Sequence, residues 1–120
     1  MDQANSLALA RIVVGASSWI APEASLKASM LDPTPTQAPF IMRLFGAREI
    51  ALGAVTLLAK PAHKPALLRM GLAVDSADAA AALMALKEKR LQPPQAALLA
   101  GMAGAGVVAG LVGLGQQRKA

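Results

Sequence analysis

Seven ionisable side chains fall inside stretches that are otherwise apolar: Arg11, Arg43, Arg48, Glu49, Arg69, Asp75 and Asp78. Asp75 and Asp78 stand three residues apart, so on a helix their carboxylates share one face. Carboxylates so placed can bind a divalent cation, relay protons, or pair with arginines that hold helices together. Arg48 and Glu49 are neighbours. An arginine's planar fork suits an anionic headgroup, but adjacent helical residues point about 100° apart, so the two do not serve one small ligand together. Their simpler role is as part of an ionic network. His63 is the only histidine and lies about three helical turns before Asp75. One histidine and no cysteine leave too few ligands for a histidine- or thiolate-based metal centre. There is no Ser-His-Asp set, no phosphate-binding glycine loop after a strand and no dinucleotide fingerprint. No catalytic residue, metal ligand or cofactor site is therefore assigned, and the reading is non-enzymatic.

Four apolar segments must position these charges, at about residues 6–21, 39–59, 66–86 and 96–115. The last is twenty residues without a charge, the length at which a helix crosses a bilayer's roughly 30 Å hydrocarbon core. It contains Gly101, Gly104, Gly106, Gly110, Gly113 and Gly115. Glycine weakens a helix in water by up to about 1 kcal/mol each, whereas in lipid small residues let helices approach closely. Gly106-x-x-x-Gly110 has the spacing for such an approach. Prolines open the segments and basic residues follow them, which is the expected helix punctuation. Between the first two segments, Pro22 to Met30 can form a short interfacial helix, with Leu26 and Met30 opposite Glu23 and Lys27. Asp32-Pro33-Thr34-Pro35-Thr36 then reads as an extended linker. No positive n-region precedes the first apolar run, so that run is expected to be retained rather than cleaved.

Each segment carries a stripe of small and polar residues at three- and four-residue steps. The stripes are Ala8, Arg11, Gly15 and Ser18; Gly46, Glu49, Gly53 and Thr56; Gly71, Asp75, Asp78 and Ala82; and Ala103, Gly106, Gly110 and Gly113. Large aliphatic residues occupy the other faces. A soluble bundle turns its apolar face inward; these stripes predict the reverse, with small and polar residues between helices and large apolar ones toward lipid. Charges are costly in lipid, about 2.5–3.5 kcal/mol each at a helix centre, unless they pair. The expectation is a buried cluster joining Arg11 and Glu49 with Asp75 and Asp78, with Arg48 in reach of it. Arg43 and Arg69 lie near span ends, where they can extend to the interface. Gly46, Gly53, Gly71, Gly106, Gly110 and Gly113 are the expected helix-packing positions.

The fold class that follows is all-α: a four-helix transmembrane bundle in up-down order, one unit over residues 1–120, with both termini on one side. Of the 120 residues 55% are hydrophobic and 16% charged, shifted to the apolar side of ordinary domains. Net charge is +5, but tyrosine is absent and the basic residues sit at segment ends, as they do against lipid headgroups. No nucleic-acid partner is expected, because no basic stripe is interleaved with aromatics. Basic residues flank both ends of the bundle, so the charge count leaves the orientation undecided.

Residues Arg43-Leu44-Phe45-Gly46-Ala47-Arg48-Glu49-Ile50-Ala51-Leu52-Gly53, followed by the Asp75-x-x-Asp78 helix, resemble a family of small actinobacterial membrane proteins of uncharacterised function, DoxX-like in general appearance. The resemblance implies a four-helix membrane bundle. It transfers no catalytic residue.

The expected function is that of a non-catalytic accessory or scaffold subunit of a larger complex in the cell (cytoplasmic) membrane. Its partners would be membrane lipids and a larger membrane protein or its own copies. The alternatives are a small homo-oligomeric transporter or channel using Glu49, Asp75 and Asp78 as a polar path, and a soluble or lipid-carrying helical bundle.

Overall fold

The computed structural model describes residues 2–119; Met1 and Ala120, the ends of the unit expected over residues 1–120, lie outside the described residues. Those residues form five α-helices and one short 3₁₀ turn, with no strand among them. Asp2 starts α1 (Gln3–Ile20) by accepting the backbone N–H of Asn5 at 2.9 Å, which satisfies one of the helix's free donors. Pro22 stops α1 and occupies the first turn of α2 (Pro22–Ala28), where its missing N–H costs nothing. The chain bends by 119° between the two. A short helix is thus present between the first two long helices, turned sharply from the end of α1.

Met30 ends α2 at φ 61°, and the Leu31 N–H reaches back to the Leu26 carbonyl. That is a Schellman closure with methionine where glycine is usual. Lys89 repeats it after α4, at φ 60°, with Arg90 N–H bonded to the Ala85 carbonyl. The linker carries α3 (Ala38–Leu58), which has Pro39 in its first turn. A 3₁₀ turn (Pro61–His63) leads directly into α4 (Lys64–Lys87). After a short turn, α5 (Pro93–Lys119) returns along α4.

The long helices run alternately up and down. α1 packs closely on α3 and α4 on α5, while α1 and α5 close the ring; α3 and α4 touch least. Both described ends lie together: the Gln3 N–H donates to Gln116 Oε1 at 2.8 Å. At that end Ala4, Leu68 and Leu114 form a small apolar core, flanked by Leu7 and Leu72. At the other end Gln95 Nε2 donates to the Met30 carbonyl at 2.6 Å, tying the α2 turn to the start of α5.

Burial is inverted relative to a water-soluble bundle. The residues buried in α1 are Ala4, Ala8, Arg11, Gly15 and Ser18; in α3 they are Met42, Gly46, Glu49, Gly53 and Thr56. Large apolar side chains point outward, among them Val13, Ile20, Phe40, Leu44, Leu58, Leu83 and Val108.

Among the described residues only α5 is by itself long and apolar enough to cross a membrane; α1 and α2 meet that standard only if the bent pair counts as one span. This differs from the four crossing helices expected. Arg43, Arg48 and Glu49 interrupt α3, and Arg69, Asp75 and Asp78 interrupt α4, while α1 carries Gln3, Asn5 and Arg11. Of these, Arg11, Glu49 and Asp75 are buried in the interior, so part of what builds the interior also lowers each helix's apolar character.

Candidate functional site

The stripes of small residues decide where the charges meet. α1 and α3 touch backbone to backbone: a Cβ on Gly15 would lie 2.5 Å from the Gly46 carbonyl oxygen, and one on Gly53 2.5 Å from that of Ala8. Only glycine fits such a crossing, which suits the weak Cα–H···O contacts common between close helices. This approach sets Arg11 of α1 against Glu49 of α3. The remaining glycines admit side chains instead. Gly71 leaves room for the Arg11 guanidinium and Gly106 for the Asp75 carboxylate, while Gly110 and Gly113 receive Leu72 and Leu68. Gly46 and Gly53 therefore pack helix on helix, whereas Gly71 and Gly106 seat the ionic groups. Gly15, omitted from the expected packing positions, is the partner of Gly46.

Arg11 is the hub. Its Nη1 donates to Glu49 Oε2 at 3.0 Å and to Asp75 Oδ1 at 3.2 Å, and its Nη2 donates to Asp75 Oδ2 at 2.5 Å. The fork thus grips Asp75 with both nitrogens, the strongest form of this pairing, and ties α1, α3 and α4 together. Relative exposures of 8% for Arg11 and 5% for Glu49 and for Asp75 place all three inside. An uncompensated charge at such a site is strongly unfavourable, so each member needs the others.

Asp78 joins the other charges through Arg48 and not through Arg11. It stands one helical step round from Asp75 and pairs with Arg48, whose Nη2 lies 2.8 Å from Asp78 Oδ2 and 3.5 Å from Glu49 Oε1. The network is a chain: Asp75 to Arg11 to Glu49 to Arg48 to Asp78. The Phe45 ring lies 5.0 Å from the Arg48 guanidinium carbon and covers one face of it. The Arg48 Nε is buried without an acceptor among the described residues.

Around the chain of charges the hydroxyls are satisfied locally. Ser18 donates to the Val14 carbonyl and Thr56 to the Leu52 carbonyl, each one turn back on its own helix. A cavity of about 10 Å³ sits beside Arg11 between α1, α3 and α4, room for one water molecule at most. Among the described residues no group of three His, Cys, Asp or Glu side chains could hold a metal ion.

Arg43 lies outside the network. Its Nε donates to the Trp19 carbonyl at 3.0 Å, capping the end of α1 with a positive charge. Arg69 is exposed. Sequence reasoning missed Lys64, which is 9% exposed and donates from Nζ to Asn5 Oδ1 at 2.6 Å. A signal for it exists: Lys64 precedes Leu68, Gly71 and Asp75 on the same stripe of α4, at steps of four, three and four.

No protein-family model, curated protein or solved structure matches this chain.

Proposed function

We propose that this chain is a small multi-pass protein of the cell membrane, a bundle of four crossing helices that serves as a non-catalytic accessory or scaffold subunit of a larger membrane complex. The observation that carries the reading is the inversion of burial. Arg11, Glu49 and Asp75 are enclosed, while Ile20, Leu58, Phe40 and Val13 are exposed at 78%, 83%, 62% and 63%. In water an apolar surface of this extent is an aggregation liability; in lipid it is the solvated face. α5 supports the same view, since only 17% of its most apolar stretch is buried, unlike the core helix of a water-soluble protein. The charges in α1, α3 and α4 are compatible with crossing because they pair inside the bundle. At 21 residues, α3 is about 31 Å long, matched to a hydrocarbon core of roughly 30 Å.

The scaffold role rests on what the network does. Every guanidinium and carboxylate in it is engaged by another, and the cavity beside Arg11 is too small for a passage. The arrangement holds helices in register, which suits a structural subunit. One observation favours a second reading: three carboxylates (Glu49, Asp75, Asp78) face two guanidiniums (Arg11, Arg48), and the surplus acid suits a proton or cation path in an oligomer.

The test is alkaline carbonate extraction, followed by native mass spectrometry of the tagged chain from its own membranes. Retention in the pellet and a stoichiometric larger protein travelling with the chain are expected. Release without detergent would sink the membrane reading. A chain that emerges alone with lipid, and whose proteoliposomes show a flux lost in Asp75→Asn and Asp78→Asn, would replace the scaffold with the transporter.

A further inference from the structure

We propose that a second copy of this chain covers the seam between α3 and α4, seated on the Arg48–Asp78 ion pair. The proposal rests on the membrane reading above and goes beyond it by naming the surface and its occupant.

The two ends of the ionic chain differ in exposure. Arg11 and Asp75 keep 8% of their side-chain surface open, whereas Arg48 and Asp78 keep 39% and 35%. The open pair lies on the α3–α4 seam, the least tightly packed of the contacts between adjacent long helices. It also lies deep. Arg48 is at the middle of α3 (Ala38–Leu58), so about 15 Å of helix separates it from either end, beyond the reach of an arginine side chain to the headgroups. Asp78 lies in the central part of α4 (Lys64–Lys87). Ionisable residues at this depth face a bundle interior or a water-filled cavity, because lipid tails offer no hydrogen bonds. The cavity beside Arg11 lies on the inner side of the network and does not serve Arg48. Something polar therefore covers the pair.

The pair's own charges select the occupant. One cation and one anion side by side are self-complementary about a two-fold axis: Arg48 of each copy faces Asp78 of the other, which is the pattern of an isologous dimer. A second copy supplies the matching groups at the same depth and with the right signs. Its approach is unhindered, since Val55 on α3 and Ala81 on α4 flank the pair and are exposed.

The chain has no cysteine, so single cysteines report cleanly. The full-length variants Val55→Cys, Ala81→Cys and Val108→Cys are expressed, and their membranes are washed with alkaline carbonate and oxidised with copper phenanthroline. Covalent dimers are expected for Val55→Cys and Ala81→Cys and not for Val108→Cys, an outward position on α5. In a second arm, differently tagged Arg48→Asp and Asp78→Arg chains are co-expressed. Each repels its own kind and complements the other, so the mixed pair is expected to co-purify and the like pairs are not. The cysteine variants leave the network intact, so that arm stands even where a charge variant fails to fold. Carbonate-retained chains that give no seam dimer, or that cross-link equally at Val108→Cys, overturn the dimer and leave the membrane reading in place. Release of the chains by carbonate overturns the membrane reading itself, and the dimer with it.

Discussion

Arg11 reaches from α1 across the bundle to Asp75 on α4, its Nη2 2.5 Å from Asp75 Oδ2, and the two helices it joins are diagonal neighbours in the ring. A diagonal ion pair fixes the ring in a way that contacts between adjacent helices do not. It sets the depth of α4 against α1 directly, while Glu49 holds the same guanidinium from α3 at 3.0 Å.

Removing Arg11 leaves Asp75 buried without its cation and Glu49 with only the 3.5 Å contact to Arg48. Arg11→Ala is expected to destabilise the bundle by about 3–5 kcal/mol, the usual loss when one member of a buried pair is deleted. Thermal unfolding followed by circular dichroism in mild detergent checks this. A variant that melts with the parent shows that the network contributes nothing to stability.

Glycines of two kinds separate cleanly in the structure, and so should their variants. Gly53→Val places side-chain atoms against the Ala8 carbonyl and Ile12, and is expected to cost about 1–3 kcal/mol through overpacking. Gly101→Ala meets no atom within 4 Å and is expected to stabilise α5 by up to about 1 kcal/mol from helix propensity. The two melting shifts, measured side by side in one detergent, should have opposite signs.

Lys89 holds a left-handed backbone at φ 60° with no glycine to ease it. Lys89→Gly is expected to stabilise the α4–α5 turn by about 1 kcal/mol, the scale of the penalty for an L-residue in that region. An unchanged or lowered melting temperature would show that the lysine side chain contributes more than its backbone costs.

Asp32 in the linker accepts from the Thr34 hydroxyl at 2.7 Å and from the Thr34 N–H at 2.9 Å. These bonds, the hydroxyl's first, favour the charged carboxylate and lower its pKa. The sign follows: the turn's stabilisation is complete above the ordinary aspartate value of about 3.9 and is lost as pH falls through the lowered one. Carbon-detected NMR titration should place Asp32 below the ordinary aspartate value, and Thr34→Val should move it back toward that value.

Much of the arrangement was legible from spacing alone. The stripes through Arg11, Glu49 and Asp75 name residues that are buried, because a three- and four-residue step is the geometry of one helix face. Pro22, Pro39, Pro65 and Pro93 mark helix starts for the same local reason. Pairing within the network was less legible. Asp78 lies on the same broad face as Asp75, yet it is turned enough to meet Arg48 instead of Arg11, and that choice depends on how far α3 stands from α4. Helix separation is a tertiary quantity, set here by Gly15 against Gly46 on one side and by the looser α3–α4 seam on the other. Lys64 was missed because a lysine beside a proline at a segment edge reads as an interfacial cation. Its burial comes from Asn5, which the chain brings close only once α1 and α4 are aligned.

The proposed membrane bundle has an outer surface solvated by lipid and a charged interior that is not. Spin labels on single cysteines at Val13, Leu44, Leu83 and Val108, in a chain otherwise free of cysteine, test it most directly by their collision rates with oxygen and with a water-soluble nickel complex. High oxygen and low nickel accessibility are expected at all four positions in reconstituted vesicles. High nickel accessibility at these outward positions would place them in water and contradict the membrane reading.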